Sequence, residues 1–157
     1  KDKVLGESAG MIMQGMDYAA LKFVDTKEEG VVLQYVTCEK AEKGKAEKVM
    51  KQVAIKTSKL PQPYTVKYAV DEIPSSRIAT QDVWLRVKVH SEGIANQIKA
   101  IAEWSYSLDG KKFTKIGTPF TVREGKWIGA KLGFFNTRTA KKNDAAFFDV
   151  DWIHFEK

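Results

Sequence analysis

Residues 83–90 read VWLRVKVH, with Val83, Leu85, Val87 and Val89 in one row and Trp84, Arg86, Lys88 and His90 in the other. A strict period of two puts alternate side chains on opposite faces of an extended chain, so one row meets a core and the other meets solvent. That is the pattern of a half-buried β-strand. Residues 98–107 are followed by Leu108-Asp109-Gly110-Lys111 and then by 112–116. Asp-Gly supplies the positive φ angles of a tight hairpin turn, which predicts antiparallel pairing of the flanking strands. Further short runs rich in β-branched and aromatic residues lie at 9–14, 18–24, 31–38, 47–55, 120–123, 127–135 and 145–155. Together they make about nine or ten strands joined by short turns. The expected fold is all-β, a two-sheet antiparallel sandwich, with a closed barrel as the alternative.

Two stretches break the meander. Residues 39–51, EKAEKGKAEKVMK, are helix-like in composition but carry no apolar stripe before Val49 and have a glycine at position 44. They are expected to be a charged, solvated connection leading into a strand. Residues 57–82 hold Pro61, Pro63 and Pro74, too many for a central strand in a stretch too long for a plain turn, and read as a surface excursion. No repeat or linker divides the chain, so residues 1–157 are expected to form one β-sandwich domain. The opening Lys-Asp-Lys, without methionine or signal peptide, reads as the start of a processed product or of a piece of a longer protein.

Lysine and arginine number 26 against 20 acidic residues, a net charge of +6. Only Arg77, Arg86, Arg123 and Arg138 are arginines. The charge is therefore carried by scattered lysines rather than by the forked guanidiniums that nucleic-acid readout favours. Mean hydropathy is −0.35, and no apolar run approaches the ~20 residues that span a bilayer. Neither nucleic acid nor a membrane is expected as a partner. Cys38 is the single cysteine, which excludes an intrachain disulfide and a cysteine-rich zinc site; it is expected to be buried and inert. His90 and His154 alone leave histidine-based metal or triad chemistry poorly supplied.

A glycosidase needs two carboxyl groups facing each other across a sugar, ~5 to 10 Å apart, normally on different elements. Asp149 and Asp151 are two apart on one expected strand, so they stand side by side and do not flank a bond. Solvent or loop amides are their plain partners, and a structural calcium ion is the one cofactor they suggest. The sequence holds no Gly-rich phosphate loop, Gly-x-Ser-x-Gly elbow or His-Glu-x-x-His helix. Catalysis within this chain is not expected. Exposed tryptophans stack sugar rings much as they stack bases. Trp84, on the polar row of its strand, and Trp127, after a Gly-Lys turn, are the candidate carbohydrate-binding residues, against the plainer reading that each is packed under loops.

The motifs accumulate toward one family. Ala9-Gly10-Met11-Ile12-Met13, Gly15-x-Asp17-Tyr18-Ala19-x-Leu21 and Gln34-x-Val36-Thr37-Cys38 are followed by Leu85-Arg86-Val87-Lys88-Val89 and Trp104-Ser105-Tyr106-Ser107-x-Asp109-Gly110-Lys111-x-Phe113. Then come Pro119-Phe120-Thr121-x-Arg123-Glu124-Gly125-Lys126-Trp127-Ile128-Gly129-Ala130-Lys131-x-Gly133 and the closing Phe148-Asp149-x-Asp151-Trp152. Over most of its length the chain resembles the β-sandwich module found C-terminal to the catalytic propeller in glycoside hydrolase family forty-three.

The resemblance implies a concanavalin A-like jelly roll of two antiparallel sheets. It implies a non-catalytic accessory domain of a xylan-directed enzyme of the β-xylosidase or α-arabinofuranosidase type. Its partner would be its own catalytic propeller domain, on which it packs and whose substrate entrance it helps to shape. An autonomous carbohydrate-binding module, taking xylo-oligosaccharide, is the rival reading. Secretion or periplasmic location follows from the resemblance alone. The family module normally has further strands before the Ala-Gly-Met strand, so the sandwich is expected to lack its first strands. An exposed sheet edge invites pairing, which predicts edge-to-edge self-association or a retained upstream fragment.

Overall fold

The computed structural model describes residues 8–26, 30–55, 82–137 and 149–156. Among these residues nine strands form: β1 (Ser8–Gln14), β2 (Tyr18–Thr26), β3 (Gly30–Cys38), β4 (Lys48–Ala54), β5 (Trp84–Glu92), β6 (Lys99–Ser107), β7 (Thr114–Lys115), β8 (Phe120–Val122) and β9 (Lys131–Thr137). They form two antiparallel sheets. The larger has the order β4-β3-β2-β1-β9; the smaller has the order β5-β6-β7, with β8 pairing the same side of β6 further along. Among the described residues no helix is long and apolar enough to cross a membrane.

The alternation seen in the sequence decides which face each strand buries. Met11 and Met13 of β1, Ala19 and Leu21 of β2, and Leu33 and Tyr35 of β3 point from the larger sheet into one cluster. Trp104 of β6, with Ile116 and Phe120, meets them from the smaller sheet, and Val83, Leu85 and Val87 pack against the same cluster from the valine row. The Tyr35 and Trp104 rings lie 6.4 Å apart at 47°, the tilted arrangement that aromatic quadrupoles favour, at the centre of the sandwich. Tyr35 is fully buried, and its hydroxyl donates to the Thr118 carbonyl at 2.9 Å. Burial pushes its ionisation up to about 12. Gly117 is in the left-handed region at φ 74°, and a Cβ there would stand 1.9 Å from the Tyr35 ring.

The outer face of the larger sheet is covered too. Glu47, just before β4, accepts from the Tyr18 hydroxyl and from the Lys22 ammonium. The Cys38 thiol, buried as expected, donates to the Lys45 carbonyl at 3.0 Å. The 39–51 connection therefore does more than carry charge into solvent. It makes a short 3-10 turn (Ala41–Lys43), reaches β2 through the Glu47 side chain, and then pairs with β3 as β4. Met50 is the extra residue of a bulge where the β3–β4 register shifts.

Three local expectations are corrected. The return strand of the hairpin is only Thr114–Lys115, and Gly110 alone of the Asp109-Gly110 pair has positive φ. The reason is the Asp109 carboxylate, which accepts from the Ser107 hydroxyl and from the backbone N–H groups of Lys111 and Lys112 and so holds a wider loop. The expected strand 127–135 starts instead at Lys131, because its partner β1 ends at Gln14, opposite Lys131. The expected closing strand 145–155 is an irregular segment over 149–156 with no ladder partner among the described residues, and its first part lies outside them. Apart from Asp82, the 57–82 excursion also lies outside them.

Candidate functional site

One end of the larger sheet is shaped by a buried carboxylate. β1 turns into β2 through Gly15-Met16-Asp17, and the Gly15 N–H donates to the Asp17 carbonyl at 2.8 Å. The Asp17 side chain faces inward and accepts the backbone N–H of Lys40 at 2.5 Å and the Arg123 guanidinium at 3.0 Å. Lys40 has φ 57°, the sole non-glycine positive φ among the described residues, so Asp17 fixes a strained residue as well as a distant one. The Met16 N–H donates to the Glu124 carbonyl at 3.0 Å. A Cβ on Gly15 would lie 1.8 Å from the Arg123 carbonyl oxygen, so the two backbones meet at a distance that only glycine permits.

Residues 125–130 leave this junction as an irregular loop and rejoin the sheet at Lys131, opposite Gln14. Between the loop and the β1–β2 turn lies a groove of about 330 Å³, lined by Gln14, Gly15, Lys126, Trp127, Ile128 and Lys131 among others. Trp127 is 87% exposed, and the Lys126 ammonium stands 5.8 Å from its ring centre. No carboxylate is among the lining residues. Chemically, the groove offers a flat apolar face, one amide and two ammonium groups.

The other sequence candidates lie elsewhere. Trp84 is half-buried on the outer face of the smaller sheet, and a Cβ on Gly110 would come within 2.9 Å of its ring, so the hairpin loop covers it. Asp149 and Asp151 are exposed in the irregular segment 149–156, not on a strand that would hold them on a common face. Among the described residues no three His, Cys, Asp or Glu side chains gather as a metal site would require. His90 and His154 each contact a glutamate two residues on, Glu92 at 2.9 Å and Glu156 at 3.2 Å. Sequence reasoning missed Gln14, Lys126 and Lys131 as neighbours of Trp127. The signal was the β1–β9 pairing, which brings residues 14 and 131 together.

Comparison with known families decides what this sandwich is. The model for the beta xylosidase C-terminal concanavalin A-like domain matches residues 1–156. The chain belongs to that family. A protein named beta-xylosidase from Formosa agariphila is 38% identical over 79 residues, half of this chain. The match spans 12% of that protein's length. No solved structure matches. The two antiparallel sheets closed over the Tyr35–Trp104 centre are thus a concanavalin A-like sandwich. The family's place in its parent proteins is C-terminal.

Proposed function

We propose that this domain is a non-catalytic accessory module of a xylan-directed glycoside hydrolase of the β-xylosidase or α-arabinofuranosidase type. In this reading it packs on the catalytic domain of the same protein and helps to shape the substrate entrance. The observation that carries it is the family match from residue 1 to residue 156. Two features support it. Leu132 and Phe134 on β9, and Val150, Trp152, Ile153 and Phe155 on the segment 149–156, are large apolar residues between 38% and 78% exposed. Exposed apolar side chains gathered in a patch mark contact with another protein surface, and these six are the candidates for one. In addition, Asp149 and Asp151 are exposed, two residues apart on one irregular segment, whereas glycoside hydrolysis needs carboxyls facing each other across the bond, normally from different elements.

The test is an assay of this chain on 4-nitrophenyl β-xyloside and α-arabinofuranoside, alone and then joined to its parent catalytic domain. The expected result is no turnover alone, and a joined enzyme whose KM and melting temperature change when Phe134 and Trp152 are replaced by serine. Turnover by the isolated chain that vanished with Asp149→Asn or Asp151→Asn would overturn the proposal. Carbohydrate binding is the second reading, and the exposed Trp127 beside a groove is the observation that favours it.

A further inference from the structure

We infer that the groove beside Trp127 is a binding site for an acidic sugar, a xylo-oligosaccharide carrying a uronic acid substituent. The xylose backbone rests on the proposed function; the acidic substituent rests on the groove itself. A pyranose has an apolar face of C–H groups that stacks on an aromatic ring and an equatorial belt of hydroxyls that needs polar partners. Trp127 offers the ring at 87% exposure, and Gln14 offers an amide with both donor and acceptor.

The charge pattern selects among sugars. Lys126 and Lys131 both line the groove, and no aspartate or glutamate lines it to neutralise them. Elsewhere Lys22 is paired with Glu47 and Lys115 with Glu103, while most other lysines, like Lys126 and Lys131, have no ion-pair partner among the described residues. What sets Lys126 and Lys131 apart is that both stand at the groove of the exposed Trp127 ring. Glu124, the nearest carboxylate in sequence, is not among the lining residues, and its carbonyl is engaged by Met16. The Lys126 ammonium stands 5.8 Å from the centre of the Trp127 ring, so a carboxylate on a sugar stacked at that ring comes within reach of it. A neutral xylose chain would use the ring and leave both ammonium groups without a counter-charge. A uronate uses all three.

The groove is also preformed. Gly15, which lines it, is fixed against the Arg123 backbone, and the Met16–Glu124 hydrogen bond and the Asp17–Arg123 ion pair hold the same junction, so binding need not order that part of the main chain first.

The experiment titrates the chain by NMR, following the backbone amides of residues 125–131 and all tryptophan indole N–H signals, with xylotetraose, with a glucuronic-acid-substituted xylotetraose and with free glucuronate. The substituted oligosaccharide should bind at least about tenfold more tightly than the neutral one, and its affinity should fall as ionic strength rises. Trp127→Ala should weaken it about tenfold or more, in line with the loss of a stacking platform. Lys126→Ala with Lys131→Ala should bring the acidic oligosaccharide down to the neutral one. All three side chains are exposed, so these variants are expected to fold, and their amide spectra check this. Equal affinity for neutral and acidic oligosaccharides would overturn the assignment of the charge. Shifts at Trp84 that survive Trp127→Ala, or no binding of any probe, would overturn the site. Neither result would touch the accessory role, which is read by the joined-enzyme assay.

Discussion

A single nitrogen of the Arg123 guanidinium, Nη1, donates to both carboxylate oxygens of Asp17, at 3.1 and 3.0 Å, across 106 residues of sequence. The carboxylate is buried while the arginine is half exposed, so the pair closes one end of the sandwich with one foot in water. Asp17→Ala leaves the Lys40 N–H and the guanidinium without their acceptor and is expected to cost about 2 to 3 kcal/mol. Asp17→Asn keeps an acceptor for Lys40 and should cost less. Urea unfolding of both variants tests the order; an alanine variant as stable as the parent would show that the pair contributes nothing.

Gly117 and Tyr35 make a second prediction. Gly117→Ala forces a Cβ into the Tyr35 ring from a left-handed backbone, and should destabilise by about 2 kcal/mol or more. Tyr35→Phe keeps the ring and loses only the hydrogen bond to Thr118, worth about 1 kcal/mol. Thermal melts should therefore rank the glycine change as the worse of the two.

Trp104 is the largest fully buried side chain, and its indole N–H has no partner among the described residues. Trp104→Ala opens a cavity at the centre of the sandwich and should cost about 3 to 5 kcal/mol. Trp104→Phe keeps much of the packing and removes a buried donor at once, so its loss should be well under half of that. Guanidinium midpoints compare the two directly.

The Asp109 carboxyl is held at about 2 by hydrogen bonds from the Lys112 and Lys111 backbone and the Ser107 hydroxyl. Because this lies below the ordinary aspartate value of about 3.9, the carboxylate's contribution to stability is complete above the unfolded value and is lost as pH falls through about 2. Melting temperature between pH 4 and 2 should fall less steeply in Asp109→Asn than in the parent, and the Asp109 carboxyl carbon should titrate with a midpoint near 2.

The frame was legible because burial follows alternation. Val83, Leu85 and Val87, the methionines of β1 and the inner face of β3 pack as their period of two requires, while Val89, at the end of its row, is 51% exposed. What alternation could not show was where pairing stops. Trp127 lies in a Gly-Lys-Trp-Ile-Gly stretch whose composition suits a strand, yet it leaves the sheet because β1 has already turned at Gly15. Asp109 likewise has the residue type of a tight turn, but its carboxylate gathers two backbone N–H groups and widens the loop. The groove was illegible for the same reason: its neighbours are set by a strand pairing between opposite ends of the chain, and no local pattern records it.

At the junction of Gly15 with residues 123–124, the contacts that set the groove's position are main-chain contacts plus the Asp17–Arg123 pair. The four side chains that give the rim its chemistry, Gln14, Lys126, Trp127 and Lys131, bear none of that load. Their identities can change without disturbing those contacts. This end of the sandwich is therefore a site for grafting new recognition by randomising four positions.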